Sequence, residues 1–465
     1  MALETINTTL DRDKIQPLAA QMRGELLLPG EPGYDDSRAV YNAMIDKHPA
    51  LIARCHDAAD VIAALRFGRE QGLPVAVRGG GHNVAGKGTV DGGLVIDLSA
   101  MRNVHVDPQA RVVRAGGGAL WGDVDHATHA FGMATPSGII STTGVAGLTL
   151  GGGFGHLSRR FGLSLDNLIE ADVVTAGGDL VKASEHENPD LFWALRGGGG
   201  NFGIVTAFTF RLHDVSTIYG GPIFYPADQA TTLLEFYRDW IVDAPREISA
   251  FFAIHQGAPA PFIPAELHFV PAAAFVVCYS GDLSRAEEAV RPFREIAPAA
   301  LDLMGPMPYP MIQTLFDGLY TPGLQHYWKS DIIHGLPDGA IAVHARRAPE
   351  VPDPWSGAHI YPLNGAIRDT PANATAFPFR DALATHNILA INPDPAVMDA
   401  RMGWVRGYHA ELRPYSDPGG YINFLTEEGD ERVRAAYRDN YPRLVEVKRA
   451  WDPDNVFRIN QNIRP

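Results

Sequence analysis

Cysteine is nearly absent, with Cys55 and Cys278 the only two in 465 residues. Two thiols cannot build a disulfide scaffold or a cysteine-ligated zinc or iron–sulfur site, and the scarcity fits a reducing compartment, so the cytoplasm is the expected location. Basic charge is short as well: 39 Lys and Arg stand against 54 Asp and Glu, a formal net charge of −15. That imbalance repels phosphate backbones and argues against nucleic acid or an anionic membrane as the main partner. Long apolar runs are lacking too. No segment could cross a bilayer, and the opening MALETINTTLDRDKIQPL has no basic stretch leading into an apolar one. Internal repeats and low-complexity tracts are missing. A chain of this length outgrows one hydrophobic core, so two or three are expected.

Glycine is what the sequence holds in abundance: 48 residues, crowded between Gly79 and Gly203. Glycine loses much chain entropy on folding unless a tight turn or a close backbone approach needs it, so the crowding points to backbone brought near something. Before and within it, the pattern gives a strand over 51–55, an Asp57 N-cap, a helix over 58–70 and a strand over 74–78, a small βαβ unit. From Gly92 the runs GLVIDLS, NVHVD and RVVRAG read as antiparallel strands, and 121–131 as a helix. ADVVTA (171–176) and IVTAFTF (204–210) read as strands, and 191–195 as a helix begun by Asn188, Pro189 and Asp190 and ended by Gly197. After about His213 the glycine clusters stop. Helices over 227–242 and 285–296, the second opened by a capping box of Ser284 and Glu287, alternate with strands such as AFVVCYS (274–280), a second α+β unit.

Two glycine motifs mimic nucleotide sites. Residues 81–87 have the G-x-x-x-x-G-K spacing of a P-loop, but Gly88 stands where the magnesium-binding hydroxyl must be. Gly198, Gly200 and Gly203 fit G-x-G-x-x-G yet follow a helix and precede a strand, the reverse of the order that puts a pyrophosphate at a helix N-terminus. Left over are four glycine-rich segments: VRGGGHN (77–83), 116–118, PSGIISTTGVAGLTLGGGFG (136–155) and LRGGGGNFGIV (195–205). Each alone fits a tight turn of a β-rich domain. Together they offer enough bare backbone N–H groups to cradle a large diphosphate cofactor. His126 and His129 share a helical stretch with Asp123 and Asp125, but further ligands at metal spacing are lacking. A solvated helix face is the better reading, and no metal is expected.

VRGGGHN resembles the flavin-attachment loop, commonly R-S-G-G-H, of the berberine-bridge-type and p-cresol-methylhydroxylase-type covalent flavoproteins of the vanillyl-alcohol-oxidase superfamily. LGGGFGHLSRRFGLSLDNL (150–168), NPDLFWALRGGGGNFGIVT (188–206) and WDPDNVFRINQNI (451–463) are similar to the family's motifs in the same order, with the middle of the chain least alike. The resemblance implies FAD as cofactor, bonded at its 8α-methyl to a ring nitrogen of His82. It puts Arg78, Gly79, Gly80, Gly81 and Asn83 in the pyrophosphate loop. Ser137, Gly138, Thr142, Thr143, Gly144, Gly147, Gly152, Gly203, Ile204 and Val205 would line the cofactor, and Asn460 and Asn462 would close it from the C-terminus. Histidine suits the bond, since its neutral imidazole is nucleophilic near pH 7 and an electron-withdrawing linkage makes the flavin a better oxidant. One departure matters: many relatives add a second bond through a cysteine in G-x-C-x-x-x-G, and Ile140 stands there, so a single covalent bond is expected. Thr143, small and near the face where the family admits dioxygen, favours an oxidase or oxygenase.

On the substrate side, period-two alternation in AHIYPLNG (358–365) puts His359 and Tyr361 on one face of a strand. Relatives often carry a carboxylate near His359. GGYINF (419–424) resembles the family's Y-x-N segment, which makes Tyr421, Asn423 and His359 the catalytic candidates, although a tyrosine on a strand packs more often than it reacts. The expected fold is α+β. A two-part FAD-binding domain (1–212 and 416–465, the return implied by the resemblance) holds an inserted α+β substrate domain (213–415) carrying an antiparallel sheet. The expected activity is oxidation of an alcohol or amine carbon of a small organic molecule by hydride transfer to flavin N5, with dioxygen giving hydrogen peroxide. The alternatives are a flavin oxygenase of secondary metabolism and a non-catalytic flavin-binding redox protein. Partners would be the small-molecule substrate and dioxygen, in a monomer or homodimer.

Overall fold

Asp57 opens the first long helix as its side chain allows, accepting from the N–H groups of Ala59 and Asp60 at 2.9 and 3.1 Å. The computed structural model describes residues 10, 12–426 and 429–465; the segment 1–9, read above for a leader, lies outside them. The helix Ala58–Glu70 buries Val61, Ala64 and Leu65 in one core with a four-stranded sheet. That sheet is made of β1 (Glu25–Leu27), β2 (Leu51–Arg54), β3 (Val75–Arg78) and β4 (Leu94–Asp97), in spatial order β1-β2-β4-β3. β4 corrects the expectation of an antiparallel strand: it runs parallel to both β2 and β3. All four of its residues are buried, so it shows the unbroken apolar run of a central parallel strand rather than alternation.

The next two runs do pair antiparallel. β5 (Val104–Asp107) and β6 (Val112–Gly116) join β7 (Leu168–Val174), β8 (Leu180–Ser184) and β9 (Ile204–Arg211) in a five-stranded sheet of order β5-β6-β9-β7-β8. The far end of the chain packs into these cores. Leu444, Val447 and Ile463 share a cluster with Val113, Phe208 and Phe210, and Phe457 joins Leu51 and Val75. Buried Lys448 ties the tail down, donating from Nζ to Asp452 at 2.6 Å and to the carbonyls of Asn201 and Phe457 at 2.8 and 3.0 Å.

The middle of the chain forms an eight-stranded antiparallel sheet from β10 (Thr217–Pro226), β11 (Ile248–Gln256), β12 (Pro271–Tyr279), β13 (Gln325–Ile333), β14 (Gly357–Pro362), β15 (Ala384–Asn392) and two short edge strands. Its central order is β10-β12-β11-β14-β15-β13. Helices Ala230–Asp243, Ala286–Glu295, Asp338–Arg347 and Met398–Leu412 cover one face through Leu233, Val290, Ile341 and Val405. The helix Ala286–Glu295 is not opened by the expected Ser284–Glu287 box. Asp282 caps the turn before it, accepting from the N–H of Ser284 at 3.0 Å, while Glu287 accepts from the Tyr219 hydroxyl at 2.6 Å. The other face turns toward the glycine-rich part, where Phe251, Ile332 and Tyr361 cluster with Phe154, Leu157 and Tyr421. Buried Arg380 clamps the two parts together, donating to both oxygens of Asp166 at 2.7 and 2.8 Å.

Candidate active site

Between the glycine-rich part and the open sheet face lies a cavity of about 300 Å³. Its floor is rich in glycine: residues 78–83, the turn at Gly138, the start of the helix Val145–Gly151, residues 199–201 and 203–205, and Asn460. Its roof is side chains, dictated by strand alternation. On β14, Ala358 and Ile360 enter the helix-covered core, while His359 and Tyr361 turn to the cavity. Register extends the row: His359 lies between Ala253 of β11 and Asn387 of β15, and Trp328 of β13 opposes Leu389.

His82 sits in the wall with its ring stacked on Tyr41 at 3.6 Å, and its Nε2 lies 3.2 Å from the Thr142 hydroxyl. Burial, with His326 nearby, pushes its pKa down to about 3, so the ring is neutral at pH 7. Thr142 engages one nitrogen and leaves Nδ1 as the other. Ile140 also faces the cavity, whereas Cys55 and Cys278 are buried in cores and do not line it.

The walls fit a large planar cofactor with a polar tail. A Cβ added at Gly147 or Gly200, both on the wall, would meet nothing within 4 Å, so the floor leaves open room where side chains would stand. Around it, Asn460 Oδ1, Asn387 Oδ1, Trp328 Nε1 and both ring nitrogens of His326 are buried without a hydrogen-bond partner among the described residues. Buried polar atoms without partners are scarce in folded proteins, and a ligand rich in donors and acceptors is one way to satisfy them.

Most of the expected cofactor residues line this cavity: Gly79, Gly80, Gly81, His82, Asn83, Gly138, Thr143, Gly144, Gly147, Gly203, Ile204, Val205 and Asn460. Arg78 reaches the wall, but its guanidinium is taken up by Asp97 at 2.6 and 3.2 Å and by the carbonyls of Ser37 and Ala39, so it clamps the loop instead of facing a phosphate. Ser137, Thr142, Gly152 and Asn462 stand off the lining. Ser137 is fully buried against Gln313 and Tyr309, and Thr142 meets the cavity through His82. Gly152 sits beneath Tyr421, where a Cβ would lie 3.0 Å from the ring.

Tyr421 and Asn423 occupy a turn, not a strand, and Gly151 and Gly152 make room for them: a Cβ at Gly151 would lie 2.2 Å from the Asn423 side chain. The Tyr421 oxygen accepts from the Gly153 N–H at 2.9 Å and from Asn423 Nδ2 at 2.8 Å. Burial pushes its pKa up to about 12 although these donors pull it down, so at pH 7 the phenol keeps a proton to donate. Phe154 stands between the rings of Tyr421 and Tyr361, 4.8 and 5.4 Å away, so the catalytic candidates share a cavity but not one hydrogen-bond system. His359 bonds through Nδ1 to the Tyr361 hydroxyl and through Nε2 to His255.

Sequence reasoning missed Tyr41, His326, Trp328 and Asn387. Alternation in QHYWKSDII and ATHNILAIN was the available signal, since it puts His326 with Trp328, and Asn387 with Leu389, on one face. The helix Trp121–His129 is not wholly a solvated face: Asp123 pairs with Arg102 at 2.6 Å, but Asp125 is buried beside Gln313, 3.2 Å away. Among the described residues no group of three or more His, Cys, Asp or Glu is arranged to hold a metal ion.

Residues 49–184 match the family described as FAD binding domain, and residues 420–464 the family described as berberine and berberine like. The chain is 31% identical over 431 residues to an FAD-linked oxidoreductase of Dictyostelium discoideum, covering 91% of each chain. To (R)-6-hydroxynicotine oxidase of Paenarthrobacter nicotinovorans it is 31% identical over 458 residues, 97% of this chain and 98% of the other. Among solved structures, 6-hydroxy-D-nicotine oxidase of Arthrobacter nicotinovorans superposes with a TM-score of 0.85 at 28% identity, over 97% of this chain and 99% of that one. Glucooligosaccharide oxidase of Acremonium strictum, described as carrying a 6-S-cysteinyl, 8α-N1-histidyl FAD, gives 0.85 at 25% identity, over 96% and 98%.

Proposed function

The chain belongs to the berberine and berberine-like FAD-linked oxidoreductases, and from that premise we propose an oxidase that converts an alcohol or amine carbon of a small organic molecule to its carbonyl or imine. Dioxygen takes up the two electrons and two protons and leaves as hydrogen peroxide. Relatives named for hydroxynicotine and for oligosaccharides bracket substrates of this size. The observation that carries the reading is a single cavity with the neutral His82 ring on one wall and the Tyr421 phenol and His359 on others.

Bound FAD supplies the hydride acceptor and the electron path to dioxygen. The segments 1–212 and 416–465 hold it and 213–415 hold the substrate. His82 provides the attachment point, Ile140 has no reactive atom to offer a second one, and the backbone of 79–83 and 199–201 with Gly203 and Asn460 cradles the rest. Tyr421 keeps its proton and donates a hydrogen bond from its hydroxyl to the substrate oxygen or nitrogen, and its two N–H donors fix the direction of that bond. Asn423 orients Tyr421. Trp328, Leu389, Phe154 and Phe424 exclude water from the reacting carbon. His359, neutral because burial pushes its pKa well below the usual imidazole range, accepts through Tyr361 the proton the substrate releases. The test is a panel of alcohols and amines under air: peroxide equal to substrate consumed supports an oxidase, and labelled oxygen appearing in the organic product would overturn it in favour of an oxygenase.

A further inference from the structure

Behind the cavity wall runs a hydrogen-bonded chain whose far end has no role so far. Tyr361 and His359 line the cavity and meet hydroxyl to Nδ1. His359, 1% exposed, then faces His255 nitrogen to nitrogen, Nε2 to Nε2, and the Tyr320 hydroxyl lies 3.3 Å from the same His255 atom. His255 is outside the cavity lining, near the end of β11, and only half-buried. Its Nδ1 is itself buried without a hydrogen-bond partner of normal geometry among the described residues, and the backbone of Ser356 and Pro354 lies beside the ring. Gly357 makes room for the contact, since a Cβ there would lie 2.4 Å from the His255 ring.

Two neutral imidazoles can meet Nε2 to Nε2 only with one proton between them: with two the N–H groups repel, and with none the lone pairs do. A phenol has a proton to give, so with Tyr361 donating to Nδ1, His359 carries its own proton on Nε2 and His255 accepts it. The chain therefore has a direction, from the cavity outward.

We propose that His255 is the outer member of a proton relay, a positioning residue that serves the reaction through His359; this rests on the oxidase reading above. As the substrate O–H or N–H proton passes to the Tyr361 oxygen, the Tyr361 proton passes to His359 Nδ1 and the His359 Nε2 proton to His255 Nε2. One proton enters and one arrives at His255, which then holds two and returns one along the same chain as dioxygen is reduced, while the electron pair leaves the substrate with the hydride. Burial pushes His359 well down and His255 to about 4, so neither ring traps the proton. The groups facing His255 are His359, Tyr320 and Asp353, the last paired with Arg401 at 2.8 Å; β12 presents Ala272 and Ala273 alongside.

The test uses the full-length holoprotein labelled with 15N-histidine, comparing wild type with His255→Gln. The relay predicts two rings that titrate as one coupled unit below the ordinary imidazole range and share one strongly deshielded proton, a signal lost in the variant. Two rings titrating independently near pH 6.5, or both protonated at Nε2, would overturn it. Kinetically, His255→Gln should slow anaerobic flavin bleaching by at least about tenfold, with KM within about twofold of wild type and a changed pH profile. Tyr361→Phe removes the entry point without touching the pair and should slow bleaching likewise while the shared-proton signal persists. A wild type that no alcohol or amine bleaches would sink the oxidase reading while the spectra still decide the pair. A His255→Gln enzyme bleaching at the wild-type rate with an unchanged pH profile would sink the relay alone.

Discussion

The cavity wall at 79–81, Gly138, Gly144, Gly147, Gly199, Gly200 and Gly203 is glycine and can offer only backbone, whereas β13, β14 and β15 meet it with side chains. The two surfaces therefore answer differently to substitution. A backbone wall has nothing to exchange, and where its loops touch, even a methyl group is excluded. A wall of alternating side chains can change its chemistry at every second position without altering the sheet. This division matches a cofactor held constant beneath a substrate that varies among relatives named for hydroxynicotine and for oligosaccharides.

The largest effect expected is from separating floor and roof. Arg380→Met would leave the Asp166 carboxylate without the cation it pairs with, a loss of about 3–5 kcal/mol for a buried pair, to be read as a lower midpoint in denaturant unfolding. Next is Tyr421→Phe, which keeps the ring packing but removes the atom that receives the Gly153 and Asn423 donors. The rate of anaerobic flavin reduction should fall by about 10²-fold or more with flavin content unchanged; an undiminished rate would remove Tyr421 from the reaction.

The floor holds two kinds of glycine, and comparing them sharpens the contrast. A Cβ at Gly80 would lie 2.6 Å from the backbone of Gly144, so Gly80→Ala should destabilise the protein by about 1–3 kcal/mol. Gly147→Ala meets no protein atom and replaces glycine inside a helix, so it should melt no lower than wild type and gain up to about 1 kcal/mol, while FAD incorporation falls. Full FAD content in Gly147→Ala would mean that this wall does not face the cofactor.

Acidification acts through the histidines. His156, His326 and His344 are buried, and burial pushes each down to about 3. The unfolded chain binds a proton at each that the native protein refuses, so stability falls as pH drops from 6.5 toward 3, by up to about 1.4 kcal/mol per pH unit per histidine. Asp125, which burial raises to about 7, works the other way between neutrality and its ordinary range and offsets one of the three. Melting temperatures across that window should decline; a flat profile would contradict the burial of these rings.

Much of this was readable from the chain because the floor is local. VRGGGHN and the glycine runs bring His82, Gly144, Gly147 and Gly203 to one cavity, and alternation alone put His359 and Tyr361 on a common face. The failures have physical causes. β4, buried on both sides, carries no alternation to betray its neighbours, so its parallel pairing was hidden. Gly152 looks like a cofactor glycine, but what approaches it and its neighbour Gly151 is Tyr421 and Asn423, some 270 residues away. Arg78 has the right chemistry for a phosphate, and only its partner Asp97 reveals that it is engaged elsewhere. His255 belongs to no motif; it matters because β11 pairs with β14 in a register no local pattern states.

The measurement closest to the centre of this account is the intact mass of the denatured chain, taken with its visible spectrum and a peptide map. A yellow polypeptide heavier by one FAD, with the flavin on the peptide containing His82 and the dye released on denaturation of His82→Ala, is the result expected from a single tether at Ile140-bearing walls. An unmodified, colourless chain that takes up no flavin when folded, or a flavin found on another residue, would contradict it.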